Sequence, residues 1–226
     1  MYLSKVSFKA AQWKNIVKIL NQGLYEEHQL IWRWMPEDQQ AERDFLYRRE
    51  DDGAVPFFYV LSQRQPNVDT TQFDCQSRLF QPQLAVGDIL AFKLRANAVK
   101  SSKKDEGSNQ RKRVDIVKAQ SLLYADLPER EQPPLAQIRY EAGYAWLAAQ
   151  GAKGGFELLE LSVENHQLHK FKPSSKHTNT PFFASLDFSG VLRVTDPNTF
   201  VEKTLFHGLG RSKAFGCGLL LVKRVQ

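Results

Sequence analysis

The stretch that most constrains this chain lies near its end, Phe206-His207-Gly208-Leu209-Gly210-Arg211-Ser212-Lys213-Ala214-Phe215-Gly216-Cys217-Gly218-Leu219-Leu220-Leu221-Val222. Gly208, Gly210, Gly216 and Gly218 surround three side chains suited to a phosphate, Arg211, Ser212 and Lys213, and the apolar run that follows predicts a final buried strand. Glycine admits positive φ and close backbone approach, so such a loop is a candidate anion cradle. It is not a P-loop, because Ser212 rather than glycine precedes Lys213. It is not a Rossmann turn either: that turn opens a βαβ unit, and only eight residues follow Gly218. A glycine-rich loop feeding the last strand of a small domain takes its meaning from the rest of the chain.

That chain has 226 residues, enough for one large or two small domains. Apolar residues make up 42% and aromatics 12%, which supports real cores and argues against wholesale disorder. The formal charge of +6 and a pI near 9.3 point toward a polyanionic partner without proving one. Cys75 and Cys217 form neither a disulfide framework nor a CxxC metal pattern, which fits a reducing cytoplasm. The opening Met1-Tyr2-Leu3-Ser4-Lys5 lacks a signal-peptide core, and no run reaches the roughly 18 apolar residues of a membrane helix. The expectation is a soluble cytoplasmic protein.

Read in order, residues 2–8 alternate apolar and polar as a strand does. From about Trp13 to Met35 the spacing is helical, with Ile16, Leu20, Leu24 and Ile31 on one side and Tyr25, His28, Gln29 and Trp32 on the other. Gly23 is a possible break, and Pro36 ends the helix. Phe45-Leu46-Tyr47 and residues 56–61 predict two strands joined through Asp51-Asp52-Gly53. Residues 66–82 read as a loop, and residues 88–100 as a fourth strand, giving a βαββαβ unit with a weak second helix. Residues 101–113 are polar and basic, predicting a flexible loop or an RNA-contacting arm. Glu141 to Gln150 predicts a helix stopped by Gly151. Paired strand segments follow at 156–163 and 167–171, then a basic hairpin loop at 173–181 and a strand or hairpin at 182–194. Asp196-Pro197-Asn198 starts a helix through His207. The fold class expected is α+β with two tandem ferredoxin-like units, 1–100 and 101–226.

Three passages resemble the CasE family, the CRISPR-associated endoribonuclease of type I-E systems, and the resemblance runs along nearly the whole chain. Met1-Tyr2-Leu3-Ser4-Lys5-Val6 is similar to that family's first strand. Leu94-Arg95-Ala96-Asn97 followed by Lys100 matches a signature, with Ala98 where the family usually has proline. Gly208 to Leu220 matches the C-terminal glycine-rich loop. The resemblance implies two RRM-like domains, cleavage of CRISPR repeat RNA at the base of a hairpin without metal or other cofactor, and retention of the product RNA among the other Cascade subunits. It also implies a catalytic histidine on the first helix, three residues after a tyrosine. Tyr25-Glu26-Glu27-His28-Gln29 fits, with Trp32 and Pro36 downstream. A rival alignment on Gln22-Gly23-Leu24 would place Asn21 there and leave no base.

RNA cleaves itself when a 2′-hydroxyl attacks the adjacent phosphorus. The step needs a base for that hydroxyl, an acid for the departing 5′-oxygen and positive charge on the phosphorane, and it leaves a 2′,3′-cyclic phosphate and a 5′-hydroxyl. Histidine carries protons in either direction near neutral pH. Tyr25 lies one helical turn before His28, and Arg33 flanks their face, so these three are the catalytic candidates. The RNA-binding candidates are Arg95, Lys100, Arg111, Lys112, Arg113, Lys172, Lys176 and His177, with Gly208, Gly210, Arg211, Ser212 and Lys213 of the loop. Duplex RNA is held by shape and phosphate charge, which these residues suit. His166 and His169 lack an acidic or cysteine partner at ligand spacing and face opposite sides of a strand, so no metal site is expected. His207, just before the loop, reads as a helix-end residue. Two competitors share these features: a non-catalytic RNA-binding module, and a small-molecule phosphate enzyme using the glycine-rich tail.

Overall fold

The structure, a computed structural model, describes residues 1–36, 42–52, 55–103, 111–171 and 182–225. Strand β1 (Tyr2–Phe8) places Val6 and Phe8 on one face with Ser4, whereas Leu3 points to the other. Two helices follow, α1 (Trp13–Leu20) and α2 (Leu24–Arg33), where the spacing predicted one. Gly23, at φ 125, breaks them. Leu20, Leu30 and Ile31 seat the pair on β1, β2 (Phe45–Asp52), β3 (Val55–Ser62) and β4 (Phe73–Leu79) around buried Val6, Phe58 and Val60. The antiparallel order is β2-β3-β1-β4.

The edge strand β4 is a correction, since residues 66–82 read as loop. Its outward Asp74, Gln76 and Arg78 are exposed, so it carries little of the apolar signature of an inner strand. The apolar alternation at 88–100 belongs elsewhere. Strand β5 (Ile89–Ala96) pairs with β9 (Phe182–Val194) and β10 (Leu220–Arg224), and β8 (Phe156–Lys170) completes the order β10-β5-β9-β8. Counting each sheet's strands along the chain, both orders read 4-1-3-2, and the expected pair of ferredoxin-like units is present. We propose dividing them within 80–88 rather than at residue 100, because the division at 100 would cut β5 away from its own sheet.

The second unit departs from expectation in three places. Val99–Lys103 (β6) and Arg111–Asp115 (β7) form a hairpin where a loop was expected, with residues 104–110 outside the described set. A short helix, α3 (Ile116–Ser121), follows it, capped by the Asp115 carboxylate. Helix α4 (Leu135–Gly154) runs through Gly151 and ends at Gly155, whose φ of 77 is the left-handed conformation a helix end uses. The segments at 156–163 and 167–171 are one bulged strand, β8, paired with β9 rather than with each other. Asp196 caps a turn, α5 (Pro197–Thr199), that continues as a π-helix over Phe200–Phe206, as the Asp-Pro signal predicted. Leu46, Leu61 and Leu219 close a small apolar junction between the units, directly beneath the glycine-rich loop. Among the described residues no helix is long and apolar enough to cross a membrane.

Candidate active site at the seam of the two units

His28 sits on α2, half-buried, in a box of three aromatic rings. Their centroids lie 6.1 Å (Trp32), 5.8 Å (Phe45) and 6.3 Å (Phe215) from its own. Trp32 comes from the next turn of the same helix, Phe45 from β2, and Phe215 from the glycine-rich loop of the other unit. The buried Nδ1 atom has no hydrogen-bond partner among the described residues. Burial, and then the positive charge of Arg43, hold the imidazole below its ordinary pKa of 6.5. At neutral pH the ring is therefore neutral and able to accept a proton.

The glycine-rich loop supplies the opposite wall. Its short 3-10 turn, Lys213–Phe215, packs on α2 and β2. The Lys213 ammonium is half-buried and donates to the His207 carbonyl at 2.5 Å. Burial, and then Arg43, lower its pKa from 10.5. Burial likewise lowers the pKa of Arg43. Arg43 thus acts on both the imidazole and the Lys213 ammonium, and the two cations concentrate positive potential at this seam, which favours an anion. Cys217, buried behind the loop, has its thiol pKa pushed up to about 12 by burial, so it is no nucleophile at neutral pH.

The loop's shape explains its glycines. Gly208 has φ 72, and a Cβ there would lie 2.7 Å from the Gly218 carbonyl oxygen and 2.7 Å from Leu46. The amides of Leu209 and Gly218 donate to Gly218 O and Arg95 O, and those of Arg211 and Phe215 to Asn97 O and Ser212 O. Two of these N–H groups close the loop on itself and two tie it to the end of β5, so all four are spent within the protein rather than on a ligand. Asn97 explains the Leu-Arg-Ala-Asn signature. Its buried amide donates to the Ala184 carbonyl at 2.6 Å, and its side-chain oxygen accepts from the Ser212 hydroxyl at 3.3 Å. Asn97→Ala is expected to cost about 1–3 kcal/mol, because it leaves a buried carbonyl unsatisfied. Thermal unfolding would show the lowered midpoint.

The other predicted residues spread outward from this seam. Tyr25 and Arg33 lie on α2 with His28, and both are exposed. Asn21 ends α1 and is exposed. Arg95 is held by Asp187 in a two-pronged pair of 2.8 and 2.9 Å, which compensates its charge. Lys100 lies on β6, opposite Val114, and Lys112 and Arg113 are exposed on β7, which Arg111 opens. Arg211 is exposed, and Ser212 has φ 52. Lys172, Lys176 and His177 lie outside the described residues. His166 faces Asp115 at 3.2 Å, while His169 bonds Ser185 at 2.7 Å and stacks on Phe183, so the two histidines serve different contacts. Sequence reading missed Arg43, Phe45 and Phe215. Phe45 falls in a segment read as strand, but its meeting with α2 and the tail is set by tertiary packing, for which no local spacing exists.

Comparison with known proteins adds a family. Residues 1–224 match the model of a family described as CRISPR associated protein. The CRISPR system Cascade subunit CasE of Escherichia coli (strain K12) is 28% identical over 229 residues, covering 97% of this chain and 98% of that protein. A solved structure of the CRISPR endoribonuclease Cse3 bound to a 19-nucleotide RNA is 23% identical, with a TM-score of 0.73, and covers 99% of this chain and 100% of its own. Cse3 of Thermus thermophilus, bound to an RNA representing a pre-cleavage complex, is 23% identical with a TM-score of 0.72 over 98% of each chain. The CRISPR-associated protein Cas6e from Escherichia coli K-12 is 24% identical, with a TM-score of 0.65 over 100% of each chain. These likenesses to solved structures establish the shared fold.

Proposed function

This chain belongs to the CRISPR associated protein family, and we propose that it is an endoribonuclease that cleaves CRISPR precursor RNA at the base of the repeat hairpin. The observation that carries this reading is His28, kept neutral by burial and by Arg43, with Phe215 of the glycine-rich loop packed on its ring and Arg43 acting on both His28 and Lys213. His28 takes the proton of the 2′-hydroxyl. Lys213 and Arg43 lend positive charge to the phosphorane, and Tyr25, one turn before His28, delivers a proton to the 5′-oxygen. Arg33 adds charge at the end of α2. All the required groups are side chains, so the reaction proceeds without a metal ion and leaves a 2′,3′-cyclic phosphate. The exposed Lys100, Lys112, Arg113 and Arg211 hold the stem through its phosphates, and the product stays bound for assembly with other Cascade subunits.

Cleavage of labelled repeat hairpin RNA in excess EDTA tests this reading. The ribo-substrate is expected to be cut and a 2′-deoxy substrate at the cut site to survive. Binding of both without cleavage would make the chain an RNA-holding subunit instead. The pH dependence follows from His28. Because its pKa is lowered, the base is fully available at pH 7, and single-turnover rates are expected to fall only as pH drops through a midpoint below 6.5. A midpoint above 6.5 would contradict the burial of this imidazole.

A further inference from the structure

We propose that Tyr47, backed by Glu27, is a positioning residue that pins the Lys213–Phe215 turn of one unit beside His28 of the other. The inference rests on His28 being the base. Tyr47 lies on β2, fully buried, two residues beyond the Phe45 ring that packs on His28. Its own ring is fixed between Phe45 and Phe58, at 6.5 and 6.1 Å. Its hydroxyl donates to the carbonyl of Ala214, the middle residue of the turn, at 3.2 Å.

Glu27, beside His28 on α2 and 3% exposed, lies behind that hydroxyl and also bonds it. A hydroxyl has a single proton to give. The Ala214 carbonyl and the Glu27 carboxyl are its two acceptors, and the bond to Glu27 holds that carboxyl's pKa down. Burial raises the Glu27 pKa from 4.5, against the opposing charge of Arg49, whose Nη1 is 3.5 Å away, and the bond to Tyr47. The turn sits directly on the pair: a Cβ on Gly216 would be 3.4 Å from the Tyr47 ring and 3.7 Å from Glu27. Two buried side chains of the first unit therefore seat the turn that carries Phe215 onto His28 and holds Lys213 nearby.

Tyr47→Phe keeps the ring and removes only the tether. Its cleavage rate is expected to fall roughly fivefold, the worth of one buried hydrogen bond, with RNA affinity unchanged. The diagnostic readout is the His28 titration, followed by NMR on the full chain. A turn that swings away lets water reach the imidazole, so its midpoint rises toward 6.5. Phe215→Leu should move the midpoint the same way, and the two changes together should shift it by less than their sum. If Tyr47→Phe does not fold, Glu27→Leu takes its place in the same cycle. An unmoved midpoint, or shifts that simply add, overturns the proposal. The titration reads the tether even if the wild-type chain cuts no RNA, an outcome that would count against the cleavage reading alone.

Discussion

His28→Ala is expected to cut repeat hairpin RNA about 100- to 10,000-fold more slowly than the wild type, the range a positioned general base supplies. Binding of the same hairpin should persist, because the basic residues proposed to meet the stem, Lys100, Lys112 and Arg113 among them, lie on other elements. Asn21→Ala serves as the companion variant. Asn21 closes α1 and is exposed, while the aromatic box and the Lys213 turn converge on α2. Its loss is expected to leave the rate close to wild type. Single-turnover rates and equilibrium binding, measured on one preparation of each variant, separate chemistry from affinity. A dead Asn21→Ala beside an active His28→Ala would move the catalytic centre to the other alignment.

Gly208→Ala is expected to have the second-largest effect. A left-handed φ of 72 costs a side-chain-bearing residue about 1–2 kcal/mol on its own. The new methyl would also lie 2.7 Å from the Gly218 carbonyl oxygen, a backbone atom that cannot step aside. Together these place the change among the larger single-residue destabilisations, about 3 kcal/mol. The strain falls on the loop that carries Lys213 and brings Phe215 to His28. Cleavage should therefore drop at least tenfold even at temperatures where thermal melting shows the variant folded. A variant that melts early yet cuts at the wild-type rate while folded would show that the loop closes the domain and does nothing for the reaction.

The parts of this molecule that sequence alone revealed are those whose signals are local. The Tyr25–His28 spacing belongs to one helix, and the glycines of the tail announce a loop of unusual backbone whatever surrounds it. Asp196-Pro197 marked a helix start because a cap and its proline are neighbours in the chain. The strand at residues 89–96 was equally legible as a strand but not as a member of the second sheet. Alternation says which face is buried and nothing about which sheet accepts it. Strand β4 was lost for the converse reason, its exposed polar side chains hiding an edge position. The seam was the least visible part: the Tyr47–Ala214 bond joins residues 167 apart, and Arg43, just ahead of β2, matters only because the fold brings it near His28 on α2.

The measurement that bears most directly on the proposed chemistry is the mass of the two fragments made from a repeat hairpin in excess EDTA. A 2′,3′-cyclic phosphate on the upstream fragment and a 5′-hydroxyl on the downstream one are the predicted ends. A 3′-hydroxyl paired with a 5′-phosphate, or cutting that stops when EDTA is added, would contradict a metal-free attack by the 2′-hydroxyl with His28 as its base.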